Sequence, residues 1–417
     1  MANNLYFSRD TKLFATFKNA AGVVQAAWEI PILEGFSFSQ GNETSEITLS
    51  EMESSAGVSR RGRRLFNDSL SPAEWSFSTY VRPFEAVTAH TGYTVGNNHA
   101  VEEVLWAQMA GADDYNADAF RSAKFSNAAV TVTDGTDLNI SFAQSNRAVL
   151  QPMDLYFVLE TNLANPVVYK LEDAVVNEAS VDFEVDGIAT IAWSGFAKEI
   201  KDWTTNTDVS AAFVTASAGN IHLESDNDNA FTFDDGSAGV AAKDYAVGNT
   251  DNFIRNRLSQ VSLTAADVVT YPGASTNGVY NLTLTNANIT VSNNIEYLVP
   301  AEIGKVNIPL ENVTGTRTVT GSMSCYINYN DSANSGTSTD LFNDMKTSAA
   351  LDKVVNDFAV VLKLGGAAGK RVEFTMADAH LEIPTHNIED VISFDINFHG
   401  LDSIDAAEEV AIAYFGA

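Results

Sequence analysis

The sequence predicts a mainly β protein. Three observations carry that expectation: many short runs alternate apolar and polar side chains, turn signals separate those runs, and helical patterning is scarce. Alternation is clearest at 72–84, PAEWSFSTYVRPF, where Trp75, Phe77, Thr79 and Val81 share one face and Ser76, Ser78, Tyr80 and Arg82 the other. Successive side chains of a strand point to opposite faces, so this pattern marks a half-buried strand. VDFEVDG at 181–187 reads the same way, with Val181, Phe183 and Val185 set against Asp182, Glu184 and Asp186. Further strands are expected at 5–17, 28–38, 128–133, 137–142, 154–160, 167–172, 188–193, 258–263, 279–284, 287–291, 305–310, 317–328, 357–364, 371–376 and 391–398. Asp134-Gly135, Asp186-Gly187 and Gly365-Gly366 supply turn signals between them.

Two helices stand out, one in each half. At 98–111, NHAVEEVLWAQMAG, Asn98 is the expected cap, Glu102 and Glu103 lie at the positive end, and Val101, Val104, Leu105 and Met109 form an apolar stripe that Gly111 ends. The second begins near Thr339, with Leu341, Phe342 and Met345 on one side.

Length and charge bound the class. At roughly 150 residues per domain, 417 residues imply two or three domains. Acidic residues outnumber basic ones 54 to 24, giving a net charge of −30, which opposes gripping a nucleic acid or an anionic membrane. The single cysteine, Cys325, excludes an intrachain disulfide framework and a multi-cysteine zinc site. MANNLYFSRDTKLF lacks a basic start followed by an apolar core, so no secretory signal is expected. No apolar run reaches the ~18 residues of a membrane helix, and membrane insertion is not expected.

Composition shifts at 204–250, which is loaded with Ala, Ser, Thr, Gly, Asn and Asp. We read it as a linker or surface insertion in which Ile221 with Leu223, and Phe231 with Phe233, could form a small hairpin. That divides the chain into 1–203, 204–250 and 251–417. The outer parts look related. WSFSTYV at 75–81 aligns with GSMSCYI at 321–327, and DLYFVLE at 154–160 with DFAVVLK at 357–363. Asp173-Ala174 then aligns with Asp378-Ala379, Trp193 with Phe398, and Gly195 with Gly400. The order is preserved around a helix in each part, and the first copy carries an extra stretch before its return strand. Duplication is the expectation, and two similar domains per chain let three chains build a six-fold-like ring.

Sites of chemistry fail one by one. GGAAGKR at 365–371 has Leu364 at the first glycine position of a phosphate loop and Arg371 where Ser or Thr must hold magnesium. GASTNG at 273–278 has Asn277 where a nucleophile elbow needs glycine. His380, His386 and His399 lack helical zinc spacing, and Ala230 interrupts the calcium-like run after Asp226 and Asp228. No enzyme, cofactor or metal is expected. Cys325 reads as a small packed residue, and Trp75, Phe77, Trp193 and Phe398 as core or interface anchors.

GRRLFNDSLSPAEWSFSTYVRPF at 62–84 closely resembles the major tail tube proteins of long, flexible-tailed bacteriophages, in the branch with two fused tube domains and trimeric rings. The likeness continues in IATIAWSGF (188–196), IRNRLSQVSL (254–263), ITVSNNIEYLVP (289–300), VNIPL (306–310), VNDFAVVLKLGG (355–366) and AHLEIPT (379–385). The stretch at 204–250 looks longer than that family leads one to expect. The resemblance implies two β-sandwich-like tube domains, each with a flanking helix, whose strands join across chains into a continuous barrel. It further implies a homotrimeric structural subunit of the virion, assembled in the host cytoplasm. Its partners would be further copies, the tape-measure protein, and tail-tip and tail-terminator proteins, with DNA passing through during ejection without specific binding.

Two charge features fit that picture. Asp182, Glu184, Asp186 and Asp395 are candidates for a lumen surface that repels DNA phosphates, the alternative being the solvated outside of an ordinary sheet. Arg60, Arg61, Arg63 and Arg64 form an isolated basic cluster whose forked guanidiniums suit carboxylates of a neighbouring subunit or ring. Tube relatives use a long loop in this region between rings. The rival reading, a secreted β-sandwich adhesin or carbohydrate-binding module, would call for a signal sequence, an intact calcium loop or an aromatic groove. Replacing the four arginines by alanine is expected to weaken polymerisation in light scattering while leaving the circular dichroism of the monomer unchanged.

Overall fold

The structure, a computed structural model, describes residues 6–18, 24–46, 65–85, 98–111, 130–133, 137–143, 150, 152–159, 167–203, 221–226, 230–233, 253–265, 269–303, 306–330, 332, 335–352, 357–366, 369–402 and 408–416. It is mainly β, as the alternation predicts. The first half runs through β1 (Thr11–Lys18), β2 (Val24–Ile30), β3 (Ser37–Glu46), β4 (Leu65–Tyr80), β5 (Pro83–Glu85), β6 (Asn98–Ala100) and helix α1 (Glu103–Ala110). It continues with β7 (Val130–Thr133), β8 (Asp137–Ala143), β9 (Met153–Leu159), β10 (Val167–Phe183), β11 (Thr190–Ala197) and β12 (Glu199–Asp202). A separate hairpin, β13 (Ile221–Asp226) with β14 (Ala230–Phe233), falls where the small hairpin was expected.

The second half holds β15 (Gln260–Ala265), β16 (Val279–Tyr280), β17 (Thr283–Ser292), β18 (Ile295–Leu298), β19 (Glu311–Thr314) and β20 (Thr318–Tyr326). After helices α2 (Ser338–Met345) and α3 (Ser348–Leu351) come β21 (Asp357–Leu364), β22 (Arg371–Leu381), β23 (Thr385–Asn387), β24 (Ser393–Gly400) and β25 (Glu408–Phe415).

Strand pairing follows one scheme twice. The first half pairs in the order β2–β1–β9–β10–β11–β4–β3, with β12 also on β10. The second pairs as β16–β15–β21–β22–β24–β20–β17, with β25 also on β22. Two antiparallel joints connect the halves: β10 with β17, from Glu178 opposite Ser292 to Phe183 opposite Ala287, and β25 with β8. The hairpin β7–β8 lies in the stretch that only the first half carries, and it extends the second half's sheet.

The 17-residue β10 serves two sheets. Its first part pairs with β9 and β12, its last part with β11 and β17. Between them the register shifts at Leu171/Ala174 and at Val176/Glu178, and Asp173 adopts φ 53°. An irregularity of this kind bends a strand and raises its twist, so one strand can leave one sheet and enter another.

Helix α1 fills the seam. All eight of its residues are buried, which is what a helix with little apolar asymmetry requires. Trp106 packs against Phe142, Trp193 and, from the second half, Phe374. Gln108 Oε1 accepts from Val176 N–H at 2.9 Å, and Asn293 Nδ2 donates to the Met109 carbonyl at 2.9 Å. Gly111 ends the helix with φ 78°, as expected. The start differs: Asn98 is not the cap, because it belongs to β6 and faces Glu85, so the helix begins at Glu103. In the second half, Thr337 and Asp340 form a reciprocal capping box at the start of α2.

Several expected strands are redrawn. Of the strand expected at 305–310, the described residues 306–310 hold none; Asn307 makes only an isolated bridge to Ser69. The run 28–38 is broken by a turn at Gly35, φ 96°. Residues 283–292 form one bulged strand instead of two. Val185 is exposed, and β10 stops at Phe183 because a turn begins there. Trp75, Phe77, Thr79 and Val81 are buried as alternation requires, but so is Arg82, which lies beyond the end of β4 and stacks over the Phe253 ring. GGAAGKR spans the β21–β22 turn, where Gly365 and Gly366 take φ 96° and 101°.

The register also constrains the proposed internal match. Trp75 faces Gly195, whereas Gly321 faces Phe398. Aligning Trp75 with Gly321 therefore places Gly195 beside Phe398, so the matches of Trp193 with Phe398 and of Trp75 with Gly321 cannot both mark equivalent rungs. In each half a glycine makes room for a large ring on the neighbouring strand. A Cβ at Gly195 would lie 2.4 Å from the Trp75 ring, and one at Gly321 would lie 2.2 Å from the Phe398 ring and 2.4 Å from the Asn288 carbonyl. Gly321→Ala is expected to cost about 2 kcal/mol or more through overpacking, read as a lowered urea midpoint with unchanged slope.

Candidate assembly site

The central strands β3, β4, β11, β10, β17, β20 and β24 bury one face and open the other. The buried face carries Trp75, Phe77, Trp193, Ile289, Met323 and Phe398. Trp75 Nε1 donates to the Phe196 carbonyl at 3.1 Å and Trp193 Nε1 to Thr79 Oγ1 at 2.9 Å, so both indoles are held inside. Cys325 lies on the same buried face, and burial pushes its thiol up to about 12.

The open face is a sheet of hydroxyls and amides. Ser37 bonds Ser76 at 2.9 Å, Ser180 bonds Thr290 at 3.0 Å across the joint between halves, and Ser324 donates to Asp395 at 2.6 Å. Across the rungs stand Ser78, Ser194, Asn288, Thr320, Ser322 and Asn397. Its acidic side chains are Glu74, Glu178, Asp182 and Asp395, His399 stands among them on β24, and there is no Lys or Arg among the described residues of this face.

The charge candidates therefore separate. Asp182 and Asp395 stand on the open face, while Glu184 and Asp186 sit in the turn beyond β10, where Asp186 meets Arg257 at 3.0 Å. Alternation through 181–187 groups Asp182, Glu184 and Asp186 on one strand face, but the strand ends at Phe183 and Val185, the apolar residue that extends the pattern, is exposed. Arg60, Arg61, Arg63 and Arg64 lie outside the described residues.

Both ends of this row of strands are backbone edges. β3 pairs with β4 on one side and has no strand on its other side among the described residues, and its side chains are mostly exposed. At the far end, β23 pairs with β24, and all three of its residues are exposed. In the pairing scheme β23 stands on β24 as the last part of β10 stands on β11, and β10 is the strand that receives β17.

A second feature lies beneath α1. Glu102 is fully buried, and Tyr414 of the last strand donates to its Oε1 while accepting from Trp106 Nε1 at 2.8 Å. Glu102 Oε2 and Arg82 Nε, both buried, have no hydrogen-bond partner among the described residues. Burial pushes the Glu102 carboxyl up to about 7, opposed by the Tyr414 hydrogen bond and the charge of Arg82, and assisted by the neighbouring Glu103.

No family model matches the chain. A curated relative does: the tail tube protein pb6 of Escherichia phage T5 is 24% identical over 411 residues, covering 97% of this chain and 75% of that protein. The chain is similar over almost its whole length to a phage tail tube protein. The match runs over both halves, so it spans β3 and β23 as well as the open face, and it agrees with the resemblance carried by residues 62–84.

In this chain the buried Glu102 carboxyl binds its proton more tightly folded than unfolded. Its stabilising contribution is therefore complete below about 4.5 and is lost as pH rises through about 7. Glu102→Gln keeps an acceptor for Tyr414 without the charge. Its stability relative to wild type is expected to rise between pH 5 and pH 8, reaching on the order of 3 kcal/mol, as measured by urea unfolding at each pH.

Proposed function

We propose that the chain is the structural subunit of a tail tube, without catalytic activity, in which three copies close a ring of six similar β units. Rings stack into a hollow tube in the virion. The tube encloses the tape-measure protein during assembly in the host cytoplasm, meets tail-tip and tail-terminator proteins at its ends, and conducts DNA into the host cell. The duplicated-domain reading belongs to this proposal and rests on the recurrence of one pairing scheme in both halves.

The observation that carries the proposal is the unfinished row of strands. Within the chain, the first unit's β10 accepts the second unit's β17. The second unit's β23 occupies the corresponding place and has no strand beyond it among the described residues, while β3 corresponds to β17 and likewise has a free side there. Repeating the internal joint between copies puts β3 of one chain on β23 of the next. Open backbone edges recruit strands, so this pairing satisfies groups that otherwise face water. Curling the row into a closed ring turns the hydroxyl-rich face toward the axis. A DNA phosphate passing there meets neutral polar groups and the carboxylates of Glu74, Glu178, Asp182 and Asp395, with no Lys or Arg among the described residues of the face to hold it.

The test joins the two edges. The Ser39→Cys, Thr385→Cys double variant, treated with a short bismaleimide, is expected to give species that stop at three chains on denaturing gels, since the native thiol of Cys325 is buried. Negative-stain images should show stacked rings with a central channel. Compact single copies with no cross-linked trimer would overturn the reading.

A further inference from the structure

The strands of the central row end in two apolar surfaces. At the Ser292/Thr318 end, β17 and β20 continue into the arm β18–β19. Ile295 and Tyr297 anchor the arm in a small core with Leu150 and Val175, and Ile295 N–H donates to Asn177 Oδ1 at 2.7 Å. The loop between β18 and β19 is tied to the outer part of β4: Leu70 N–H donates to the Asn307 carbonyl at 2.8 Å, and Asn307 N–H to the Asp68 carbonyl at 3.3 Å. Arm and β4 thus form one platform, on which Leu65, Phe66, Leu298, Ile303, Ile308 and Leu310 are 47–106% exposed.

The opposite end, at Phe183/Tyr326, is made of turns. There Val185, Ile188, Tyr326, Ile388, Val391 and Ile392 are 39–77% exposed. Beside them a recess of about 110 Å³ is lined by Phe183, Val185, Val261 and Leu284 together with Asn256 and Ser259. Asn256 is 7% exposed, and its Oδ1, like Ser259 Oγ, is buried with no hydrogen-bond partner among the described residues.

We propose that the platform of one copy seats on the turns of the next copy, head to tail along the strand direction. This rests on the tail tube reading and names the surfaces by which its rings stack. The platform's six residues expose roughly 700 Å² and the six at the turns roughly 600 Å², at or above the upper end of what a monomer leaves as one apolar patch and approaching the ~800 Å² per partner of a stable interface. The two surfaces match in size and chemistry, and they lie at opposite ends of the same strands. A contact between unlike ends cannot close on itself in a pair, so it propagates as a filament. Two copies at −30 each repel, and desolvation of apolar surface is the force available to hold them. The recess takes an apolar side chain from the platform, and polar groups of the arm satisfy Asn256 and Ser259.

The full chain carries the test. Leu298→Asp with Ile308→Asp, and separately Ile388→Asp with Val391→Asp, are expected to raise the concentration needed for tube growth at least tenfold while the Ser39/Thr385 trimer still forms. All four positions are exposed, so retained circular dichroism and trimer cross-linking verify folding. The Ile308→Cys, Ile388→Cys double variant with a bismaleimide is expected to give a ladder beyond three chains, absent from either single variant. Normal tube growth by the aspartate variants, or tubes without that ladder, would overturn the stacking proposal and leave the tube reading standing. A cross-linked dimer from Ile308→Cys alone would mean like ends meet and would also overturn it. Absence of both trimers and tubes in the wild type would instead remove the tube reading on which it rests.

Discussion

The fold depends on one strand holding two sheets at once. β10 pairs with β9 and β12, bends through Asp173 and the shift at Val176/Glu178, and then lies between β11 and β17. Its last part is where backbone groups of the first half are satisfied by the second. Without that joint, β17 would be an exposed edge and the Ser180–Thr290 bond across the seam would be lost. The same place fixes α1, since Gln108 reaches from the helix to the bend at Val176 and Asn293 reaches the helix from the end of β17. Burial of Trp106 among rings of both halves follows from this anchoring.

The charge of the molecule is distributed in a way the total hides. A net −30 suggests acidic faces everywhere, yet the open face of the central strands is chiefly Ser, Thr and Asn. Two pairs of its hydroxyls, Ser37 with Ser76 and Ser180 with Thr290, bond one another across rungs. Such a surface interacts weakly with either sign of charge, and the scattered carboxylates tilt it against phosphate.

Much of this was legible in the residues. Period-two alternation identified β4, the buried residues of β24 and the end of β10, because a sheet with one wet face requires it. Other features were not. Nothing local distinguishes Asn98 in a short strand from Asn98 as a helix cap; its pairing with Glu85 is a tertiary choice. VNIPL looks like a strand, yet those residues form a tethered loop, since Asn307 spends its backbone bonds on β4. The open edges could not be read at all. Which strand lacks a neighbour is a property of the whole pairing scheme, and β3 and β23 are ordinary polar sequences. Paired glycine and ring positions were visible only as weak matches, and register alone showed that ring and glycine exchange strands between the halves.

The contact between α1 and the last strand bears on how the chain comes to be folded. Glu102 and Trp106 meet Tyr414 across separations of 312 and 308 residues. A ribosome delivers the helix 308 residues before its lid, so an apolar helix waits for that cover while those residues are made. The seam can seal only once Tyr414 has emerged, and until then Trp106 lacks its hydrogen-bond partner.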